Sequence, residues 1–320
     1  MGVLLLGFAP EEIDPAALEQ VRGLAPDLRV VATRERSAIE ALLDQVEIAA
    51  GGVPHDLVAR APRLRWFQQW GAGADWLLRH PAAADRDFVL TNASGVHAIP
   101  ISEHIVGTLL MFARGLHRAA RAQARRDWWE PQPGELFELD GKTMLLVGVG
   151  AIGARTAALA RALGMRVEGI RRHPEHGVAG VAAMYAPEQL RERLARADVV
   201  VLTVPLSRAT QGMFGAAELR AMRPTAYLIN IGRGGTVDQP ALVRALEERR
   251  IAGAALDVFA EEPLPASSPL WAMENVIITA HYAGSTPRYD ERAMAIFLDN
   301  LRRYRAGEPL HNVVDKQAGY

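Results

Sequence analysis

The amino-acid sequence predicts an α/β protein with two doubly wound parallel sheets. Short apolar runs alternate with helix-like segments along most of the 320 residues, which is the pattern of parallel strands joined by crossover helices. A glycine-rich turn at residues 148–153 lies between an apolar run and an Ala-rich segment. Because a separate strand–helix alternation precedes that turn, we expect a smaller sheet before the main one.

Composition restricts the function classes. The chain is 49% apolar and 23% charged, the balance of a globular protein. A formal net charge of −1 gives no reason to expect nucleic acid or an anionic membrane as a partner. The sequence has no cysteine, which excludes disulfides, a thiol nucleophile and Cys-based metal sites. No apolar run reaches the roughly 20 residues that span a bilayer, and residues 1–8 lack the basic region of a signal peptide. We therefore expect a soluble, cytoplasmic protein.

The first part of the chain predicts a small parallel sheet of its own. Strands are predicted at residues 3–8, 29–32, 47–50, 64–69 and 88–91, with helices at 10–24, 37–46 and 54–60. Asp14 followed by Pro15 is typical of a helix N-terminus. Small residues follow the fourth strand at 70–75. Such a loop leaves backbone N–H groups open to a ligand, although it is also compatible with an ordinary connection.

Residues 99–125 are predicted to form one long helix between the two domains. Apolar residues recur in this segment at helical spacing, on one stripe. A helix of this length is expected to serve as an interdomain spine and as a dimer surface. Trp128 and Trp129 follow in a polar stretch, and either a second subunit or the same chain must cover them.

The middle of the chain contains the most specific motif. Residues 144–147 form an unbroken apolar run, and Gly-Val-Gly-Ala-Ile-Gly follows at 148–153. In such a unit the first glycine permits a tight turn, the second lets the backbone approach a pyrophosphate, and the third lets the helix pack against the strand. A helix is predicted at 154–163 and a second strand at 166–170. This context predicts a Rossmann-like dinucleotide-binding site.

The rest of the chain continues the same alternation. Strands are predicted at 198–204, 226–231, 253–256 and 276–279, and helices at 215–221 and 239–248. A closing helix at 290–305 is expected to return to the first domain. The predicted organisation is one domain of residues 1–97 with 286–320, and a dinucleotide-binding Rossmann domain of residues 98–285 that carries the long helix.

Three side chains that could carry chemistry follow strands of the second domain. The guanidinium of Arg233, between glycines, suits a carboxylate because its planar fork can bind both oxygens. Taken alone, Arg233 is also compatible with a surface charge, Glu262 with a solvated acid and His281 with a structural histidine. Together they could bind a carboxylate, move a proton and orient the group that moves it, as hydride transfer beside a 2-oxo acid requires. The sequence contains no HExxH motif and no Gly-x-Ser-x-Gly elbow, so neither a metal site nor an esterase is predicted.

These residues lie in motifs that resemble the D-isomer-specific 2-hydroxyacid dehydrogenase family over nearly the whole chain. The motifs are residues 148–153, 230–234, 255–259 with 262–264, and His281 before 283–286. The Arg–Glu spacing of 29 and the Glu–His spacing of 19 resemble those of members that reduce glyoxylate or hydroxypyruvate. The resemblance implies a flavodoxin-like, substrate-binding first domain, a small 2-oxo acid or 2-hydroxy acid as substrate, and a homodimer.

The resemblance also implies roles for individual residues. Arg233 would bind the carboxylate and carbonyl of the substrate. His281 would be the general acid in reduction, and Glu262 would keep it protonated. The backbone N–H groups of Ala72 and Gly73 would bind the substrate carboxylate.

The resemblance further implies a cofactor site and one variable substrate position. His97 lies at a substrate position where relatives often carry Asn or Thr. Asp257 would contact the nicotinamide carboxamide. The full set of implied cofactor-binding residues is Gly148, Gly150, Ala151, Ile152, Gly153, Arg171, Arg172, Val204, Pro205, Thr210, Ile231, Gly232, Asp257 and Gly284.

The second strand of the dinucleotide unit does not end in the acid that binds a free ribose 2′-hydroxyl. Eighteen residues after Gly153 the chain has Arg171, followed by Arg172. Two guanidiniums suit a 2′-phosphate. We therefore predict NADP(H), with NAD(H) as the weaker alternative, in which the arginines face solvent and Glu168 or Glu175 binds the ribose.

The predicted function is a reductase that transfers a hydride between NADP(H) and a small 2-oxo acid, similar to glyoxylate/hydroxypyruvate reductases. The alternative is a nucleotide-sensing binding protein on the same fold, similar to the transcriptional corepressors that resemble this family. Such corepressors can keep the Arg, Glu and His set, so those residues alone do not separate the two hypotheses.

Overall fold

The computed structural model describes residues 1–319, which divide into two units. Met1–Val96 and Thr286–Tyr320 form unit 1, and His97–Ser285 form unit 2. Each unit contains one sheet, with five strands in unit 1 and seven in unit 2. All strand pairs within the two sheets are parallel. The predicted architecture, an α/β fold with two doubly wound parallel sheets, is confirmed.

Unit 1 is a five-stranded sheet covered by helices. Its strand order is β2-β1-β3-β4-β5, the flavodoxin-like order. The strands are β1 Val3–Gly7, β2 Arg29–Ala32, β3 Val46–Gly51, β4 Trp66–Gln69 and β5 Val89–Thr91. The helices are α1 Pro15–Leu24, α2 Arg36–Leu42, α3 His55–Arg60 and α4 Pro81–Ala84, together with the last helix of the chain, Tyr289–Ala306.

Strand β1, a central strand of unit 1, shows why a strand sequence can be an unbroken apolar run. Leu5 faces a core that contains Leu57 and Phe67, whereas its neighbour Leu4 faces a second core that contains Phe297. Both leucines are at most 1% exposed. Successive side chains of a strand point to opposite faces, so a strand covered on both sides needs apolar residues at every position.

The helix predicted over residues 10–24 begins later than expected. Pro10–Glu12 form a 3₁₀ turn, and α1 begins at Pro15. Asp14 is the N-cap, because its Oδ1 accepts a hydrogen bond from the backbone N–H of Ala16 at 3.0 Å. The expected Asp-Pro start signal is therefore confirmed.

Unit 2 is a seven-stranded sheet with helices on both faces. Its strands are β6 Thr143–Val147, β7 Arg166–Ile170, β8 Ala183–Tyr185, β9 Val199–Leu202, β10 Tyr227–Asn230, β11 Gly253–Leu256 and β12 Val276–Ile278. Its helices are α5 Ala98–Ala113, α6 Leu116–Arg125, α7 Ala151–Ala162, α8 Leu190–Leu194, α9 Ala216–Ala221 and α10 Gln239–Glu247; α11, Tyr289–Ala306, follows in unit 1.

The strand order of unit 2 creates a crevice at one point of the sheet. The order is β12-β11-β10-β9-β6-β7-β8, so the chain moves outward from β6 to β8 and then returns to the other side of β6 with β9. Ligands of open α/β sheets bind at the carboxyl ends of the strands where this reversal occurs. The glycine-rich turn follows β6, one of the two strands at that point.

The prediction of one long helix over residues 99–125 is wrong. The segment forms two helices, α5 and α6, separated at Gly115, whose φ is +65°. A Cβ at Gly115 would lie 2.6 Å from the ring of Trp129. Glycine is the residue type that tolerates both a positive φ and the close approach of the Trp129 ring, so the chain turns at Gly115. Trp129 is partly buried beside Gly115 of its own chain, whereas Trp128 is 88% exposed.

Two elements of unit 2 are absent from the sequence prediction. Strand β8 has only three residues, all partly exposed at the edge of the sheet, and α8 has five. Helix α7 begins at Ala151, three residues earlier than predicted, because the last two positions before Gly153 already belong to its first turn.

Candidate active site

The glycine-rich turn after β6 has a different constraint at each glycine. Gly148 has a φ of +94°, and a Cβ there would lie 2.9 Å from Val204. A Cβ at Gly153 would lie 2.9 Å from the carbonyl oxygen of Gly148, whereas a Cβ at Gly150 would meet nothing within 4 Å. The first and third glycines thus permit the turn and the packing of α7. The second leaves open space beside the start of that helix.

This open space suits a dinucleotide pyrophosphate. Gly150 is the N-cap of the twelve-residue helix α7, and the first N–H groups of a helix have no partner within it. Those donors, together with the helix dipole, favour an anion at this end. These residues fit a nicotinamide dinucleotide for two reasons. The N–H groups at the start of α7 can donate to its pyrophosphate, and Gly150 has no side chain that would occupy the space.

The loop after β9 forms the other wall of the crevice. Val204 is the residue that Gly148 approaches, and Pro205 follows it. The hydroxyl of Thr210 donates to the Pro205 carbonyl at 2.6 Å and accepts from the backbone N–H of Ser207 at 2.8 Å. The Thr210 side chain thus fixes the shape of residues 205–210.

The loop after β7 contains Arg171 and Arg172. Arg171 is partly exposed and donates to the carbonyl of His176 at 3.3 Å, and Arg172 is exposed. The two nearby acids, Glu168 and Glu175, both have side-chain partners. Glu168 is buried and accepts from Arg166 Nε at 3.0 Å. The Glu175 carboxylate lies 3.2 Å from His173 and 3.7 Å from His176.

Arg233 is the first residue of a tight turn after β10. Its carbonyl accepts from the Thr236 hydroxyl at 2.7 Å, and its guanidinium donates to the Gly232 carbonyl at 2.9 Å. A Cβ at Gly234 would lie 1.9 Å from the Phe259 carbonyl. Only glycine permits this contact, so the turn packs directly on the backbone of the loop after β11.

Glu262 and His281 form a hydrogen-bonded pair. Glu262 Oε2 lies 2.7 Å from His281 Nδ1, and Glu262 Oε1 accepts from the backbone N–H of Phe259 at 2.9 Å. The His281 side chain is 49% exposed. With Nδ1 bound to the carboxylate, Nε2 is the nitrogen that can exchange a proton with a ligand.

Asp257 fixes the backbone around His281. Its carboxylate accepts from the N–H groups of Tyr282 and Ala283, both at 3.1 Å. Its carbonyl accepts from the N–H of His281 at 2.8 Å. His281 has a φ of +53°, a conformation that non-glycine residues rarely adopt. Asp257 is 2% exposed. The three hydrogen bonds that it accepts hold the His281 backbone in this conformation.

His97 contacts the loop that follows His281. Its Nδ1 lies 3.0 Å from the carbonyl of Gly284, and a Cβ at Gly284 would lie 2.7 Å from that nitrogen. Burial lowers the pKa of His97, and the positive charge of Arg233 lowers it further. His97 therefore lies beside Gly284, in the loop that follows His281, and within range of the charge of Arg233.

Sequence reasoning missed two residues near Asp257. The Thr279 hydroxyl donates to Asp257 Oδ1 at 2.6 Å, and His104 Nε2, from α5, lies 3.2 Å from that hydroxyl. Thr279 ends the strand-like run before His281, so its place could have been noticed. Nothing in the local pattern distinguishes His104 from other polar helix residues.

In unit 1, polar side chains shape the loop that contains Ala72 and Gly73. Asn92 Nδ2 donates to the Ala72 carbonyl at 2.8 Å. Gln69 Nε2 donates to the Gly71 carbonyl at 2.9 Å and also to the Gly73 carbonyl. Three consecutive carbonyls are thus bound by side chains from the ends of β4 and β5, which the sequence prediction did not include.

Two other features are absent from the part of the chain that the structure describes. Among the described residues, no cluster of three or more His, Asp or Glu side chains has the arrangement of a metal site. Within residues 1–319, no helix combines the length and apolar character that crossing a membrane requires.

Comparison with known proteins gives the family. The model of the D-isomer specific 2-hydroxyacid dehydrogenase NAD-binding domain matches residues 106–283. A glyoxylate reductase of Aeropyrum pernix is 32% identical over 324 residues, covering 97% of this chain and 96% of that protein. A D-3-phosphoglycerate dehydrogenase of Methanocaldococcus jannaschii is 33% identical over 263 residues; the match covers 82% of this chain and 50% of that protein, so it spans about half the length of that relative.

A solved structure is similar over the whole chain. The NADPH-dependent glyoxylate/hydroxypyruvate reductase of Sinorhizobium meliloti, in complex with NADP and sulfate, has a TM-score of 0.84 and 30% identity, with 100% of each chain covered. The family model spans more than half of the residues, and the similarity to the Aeropyrum protein extends over nearly all of them. The chain belongs to the D-isomer-specific 2-hydroxyacid dehydrogenase family.

Proposed function

We propose that the protein is an NADP(H)-dependent reductase of small 2-oxo acids, of the glyoxylate/hydroxypyruvate class. The observation that carries the proposal is the Glu262–His281 pair at 2.7 Å, in the same unit as Arg233 and the glycine-rich turn. A carboxylate-binding cation and a paired imidazole are what reduction of a 2-oxo acid needs from side chains.

His281 is proposed as the group that protonates the carbonyl oxygen of the substrate. Its Nδ1 is bound to Glu262, so Nε2 carries the proton that is transferred. The Glu262 carboxylate holds the imidazole through Nδ1, and the N–H of Phe259 orients the carboxylate. In the oxidative direction, neutral His281 accepts the proton of the hydroxyl group.

Arg233 is proposed to bind the substrate carboxylate, and a guanidinium can bind both of its oxygens. The Gly234 contact with Phe259 sets the distance between the Arg233 turn and the loop that carries Glu262. The backbone N–H groups of Ala72 and Gly73 are proposed as further carboxylate donors, and His97 as a substrate-contacting residue beside Arg233.

The glycine-rich turn and the N-terminus of α7 are proposed to hold the cofactor pyrophosphate. The bound nicotinamide supplies the hydride. Val204, Pro205, Thr210, Ile231, Gly232 and Gly284 are proposed to line the cofactor site, with Asp257 at the carboxamide. A 2′-phosphate is proposed to bind Arg171 and Arg172, because the two acids that could bind a free ribose, Glu168 and Glu175, are paired with neighbouring side chains.

Initial rates test this proposal. Purified protein should consume NADPH with glyoxylate or hydroxypyruvate, and kcat/KM with NADPH should exceed that with NADH by about 100-fold or more, equivalent to about 2.7 kcal/mol. A panel of larger 2-oxo acids then ranks the substrates. Absence of turnover with every 2-oxo acid would contradict the proposed reaction, and equal rates with both cofactors would contradict the assignment of the arginines.

A further inference from the structure

His104 is connected to the loop of His281 by a chain of hydrogen bonds. Its Nε2 lies 3.2 Å from the Thr279 hydroxyl, which donates to Asp257 at 2.6 Å. A threonine hydroxyl has one proton, so His104 must be the donor in the first contact. Burial lowers the pKa of His104, which leaves it neutral near pH 7 with its proton on Nε2.

The other end of this chain is the backbone on both sides of His281. Asp257 accepts from the N–H groups of His281, Tyr282 and Ala283. The ring of Tyr282 also makes an edge contact with the His104 ring, at 5.9 Å between centroids. His104 thus contacts this loop in two ways, one of them through the residue that fixes its backbone.

We propose that His104 is a positioning residue for His281, acting through Thr279 and Asp257. The direction of the His281 imidazole depends on a backbone conformation with φ of +53°, which persists only if the surroundings hold it. Thr279 orients the Asp257 carboxylate that binds the loop, and the Nε2–H of His104 orients the Thr279 hydroxyl. The role assigned to His281 rests on the proposed function; the effect on the loop does not.

Three variants separate positioning from space filling. His104→Phe keeps an aromatic ring but removes the donor, and His104→Gln keeps a donor near the position of Nε2. His117→Phe is the matched control, because His117 is also half-buried and hydrogen-bonded, with Nδ1 2.9 Å from the Met111 carbonyl. For 2-oxo acid reduction we expect His104→Phe to lower kcat about tenfold, the effect of one hydrogen bond, with little change in the KM for NADPH. His104→Gln should recover most of the loss, and His117→Phe should retain the wild-type kcat.

Hydrogen exchange in the protein without added cofactor provides a readout that does not require turnover. The amides of Tyr282 and Ala283 should exchange faster in His104→Phe than in wild type, His104→Gln or His117→Phe. Unchanged exchange in His104→Phe would overturn the inference, and so would equal acceleration in His117→Phe. If the wild-type protein reduces no 2-oxo acid, the proposed function fails, while the exchange experiment still tests His104.

A double-mutant cycle tests the route through Thr279. Thr279→Val is nearly isosteric and removes the hydroxyl, so it should accelerate the same amides even if His104→Phe fails to fold. The double variant His104→Phe/Thr279→Val should be no more impaired than Thr279→Val alone, because both changes interrupt one chain. Additive effects on exchange would show that His104 acts independently of Thr279 and would overturn the proposed route.

Discussion

At the residue scale, the candidate site depends on a histidine in an unfavourable backbone conformation. The left-handed φ of His281 costs about 1–2 kcal/mol in a residue with a Cβ, and hydrogen bonds to Asp257 offset this cost. Glu262 then orients the imidazole from the other side. The geometry of the proposed acid is therefore determined by two carboxylates with different tasks.

Replacement of Arg233 tests the proposed carboxylate contact. Arg233→Ala should lower kcat/KM for a 2-oxo acid. The expected loss of transition-state stabilisation is about 3–5 kcal/mol, the scale of a lost charged contact in a closed site. Arg233→Lys should recover only part of this, because an ammonium group cannot form the planar bidentate contact. Arg244→Ala, at an exposed arginine of α10 in the same unit, is the control. Nearly full activity of Arg233→Ala would show that another group binds the carboxylate.

Replacement of Glu262 tests the proposed acid–base pair through the rate of reduction. Glu262→Gln keeps an oxygen beside His281 Nδ1 but removes the charge of the carboxylate that orients the imidazole. We therefore expect kcat for 2-oxo acid reduction to fall by about tenfold or more, the effect of one hydrogen bond to a charged group. Glu261→Gln, at the exposed neighbour, should retain the wild-type kcat. A wild-type kcat in Glu262→Gln would contradict the pairing.

At the element scale, the βαβ unit from β6 to β7 separates structural from ligand-binding requirements. Gly148 and Gly153 are required by contacts within the protein, whereas Gly150 borders open space. The loop after β7 has two arginines, and its nearby acids are paired. The glycine-rich turn would thus determine whether a dinucleotide binds. The loop after β7 would determine whether that dinucleotide is NADP(H) or NAD(H).

Alanine substitutions at two glycines should have opposite signatures. Gly148→Ala should lower the melting temperature, because φ is +94° and the Cβ would lie 2.9 Å from Val204. Gly150→Ala should leave it unchanged, because its Cβ meets no protein atom, yet weaken NADPH binding by occupying the space for the pyrophosphate. Thermal unfolding and a fluorescence titration with NADPH measure the two effects. Unchanged NADPH affinity in Gly150→Ala would mean that the pyrophosphate lies elsewhere.

Replacement of Arg171 tests the cofactor preference. Arg171→Asp should reverse it, because a carboxylate repels a 2′-phosphate and can accept a hydrogen bond from a 2′-hydroxyl. Rising salt should reduce the wild-type preference for NADPH, because exposed charges are screened. Arg161→Asp, at an exposed arginine of α7, controls for the change in net charge. A preference for NADPH that survives in Arg171→Asp would exclude Arg171 as a phosphate ligand.

At the scale of the whole molecule, burial of imidazoles links stability to pH. Burial is the main cause that lowers the pKa of each of four half-buried histidines: His55, His97, His104 and His117. The pKa of several carboxyl groups is also lowered, among them Glu218, where hydrogen bonds to Arg191 and Gly215 outweigh burial. The histidines and the carboxyl groups affect the free energy of unfolding in different pH ranges.

The histidines predict a loss of stability between pH 6.5 and 5. The unfolded chain has histidine pKa values of about 6.5, above those of the folded state, so below pH 6.5 the unfolded state binds more protons. The free energy of unfolding should therefore fall as the pH decreases through this range. The carboxyl groups act only at lower pH, near their unfolded values of about 4. Urea denaturation at pH 7.5, 6.5, 5.5 and 5.0 measures this. The slope should be smaller in His117→Phe, and a flat profile in wild type would contradict the prediction.

Much of the fold follows from local sequence patterns. Unbroken apolar runs such as residues 144–147 indicate strands covered on both faces, and the glycines at 148 and 153 identify a strand–turn–helix unit. Arg233, Glu262 and His281 were selected because each follows a strand of one sheet. These features depend on neighbours along the chain, so the sequence alone determined them, together with the family that they indicate.

Tertiary structure decided which distant residues meet. Tertiary packing brings His104, on α5, to Thr279, just after β12, across 175 residues of sequence. The same packing sets the 2.7 Å contact between Glu262 and His281. It also places the Trp129 ring beside Gly115, where the helix breaks in a way that helical periodicity does not predict. Periodicity reports how a segment is buried; which side chains become neighbours depends on how the sheets and helices assemble.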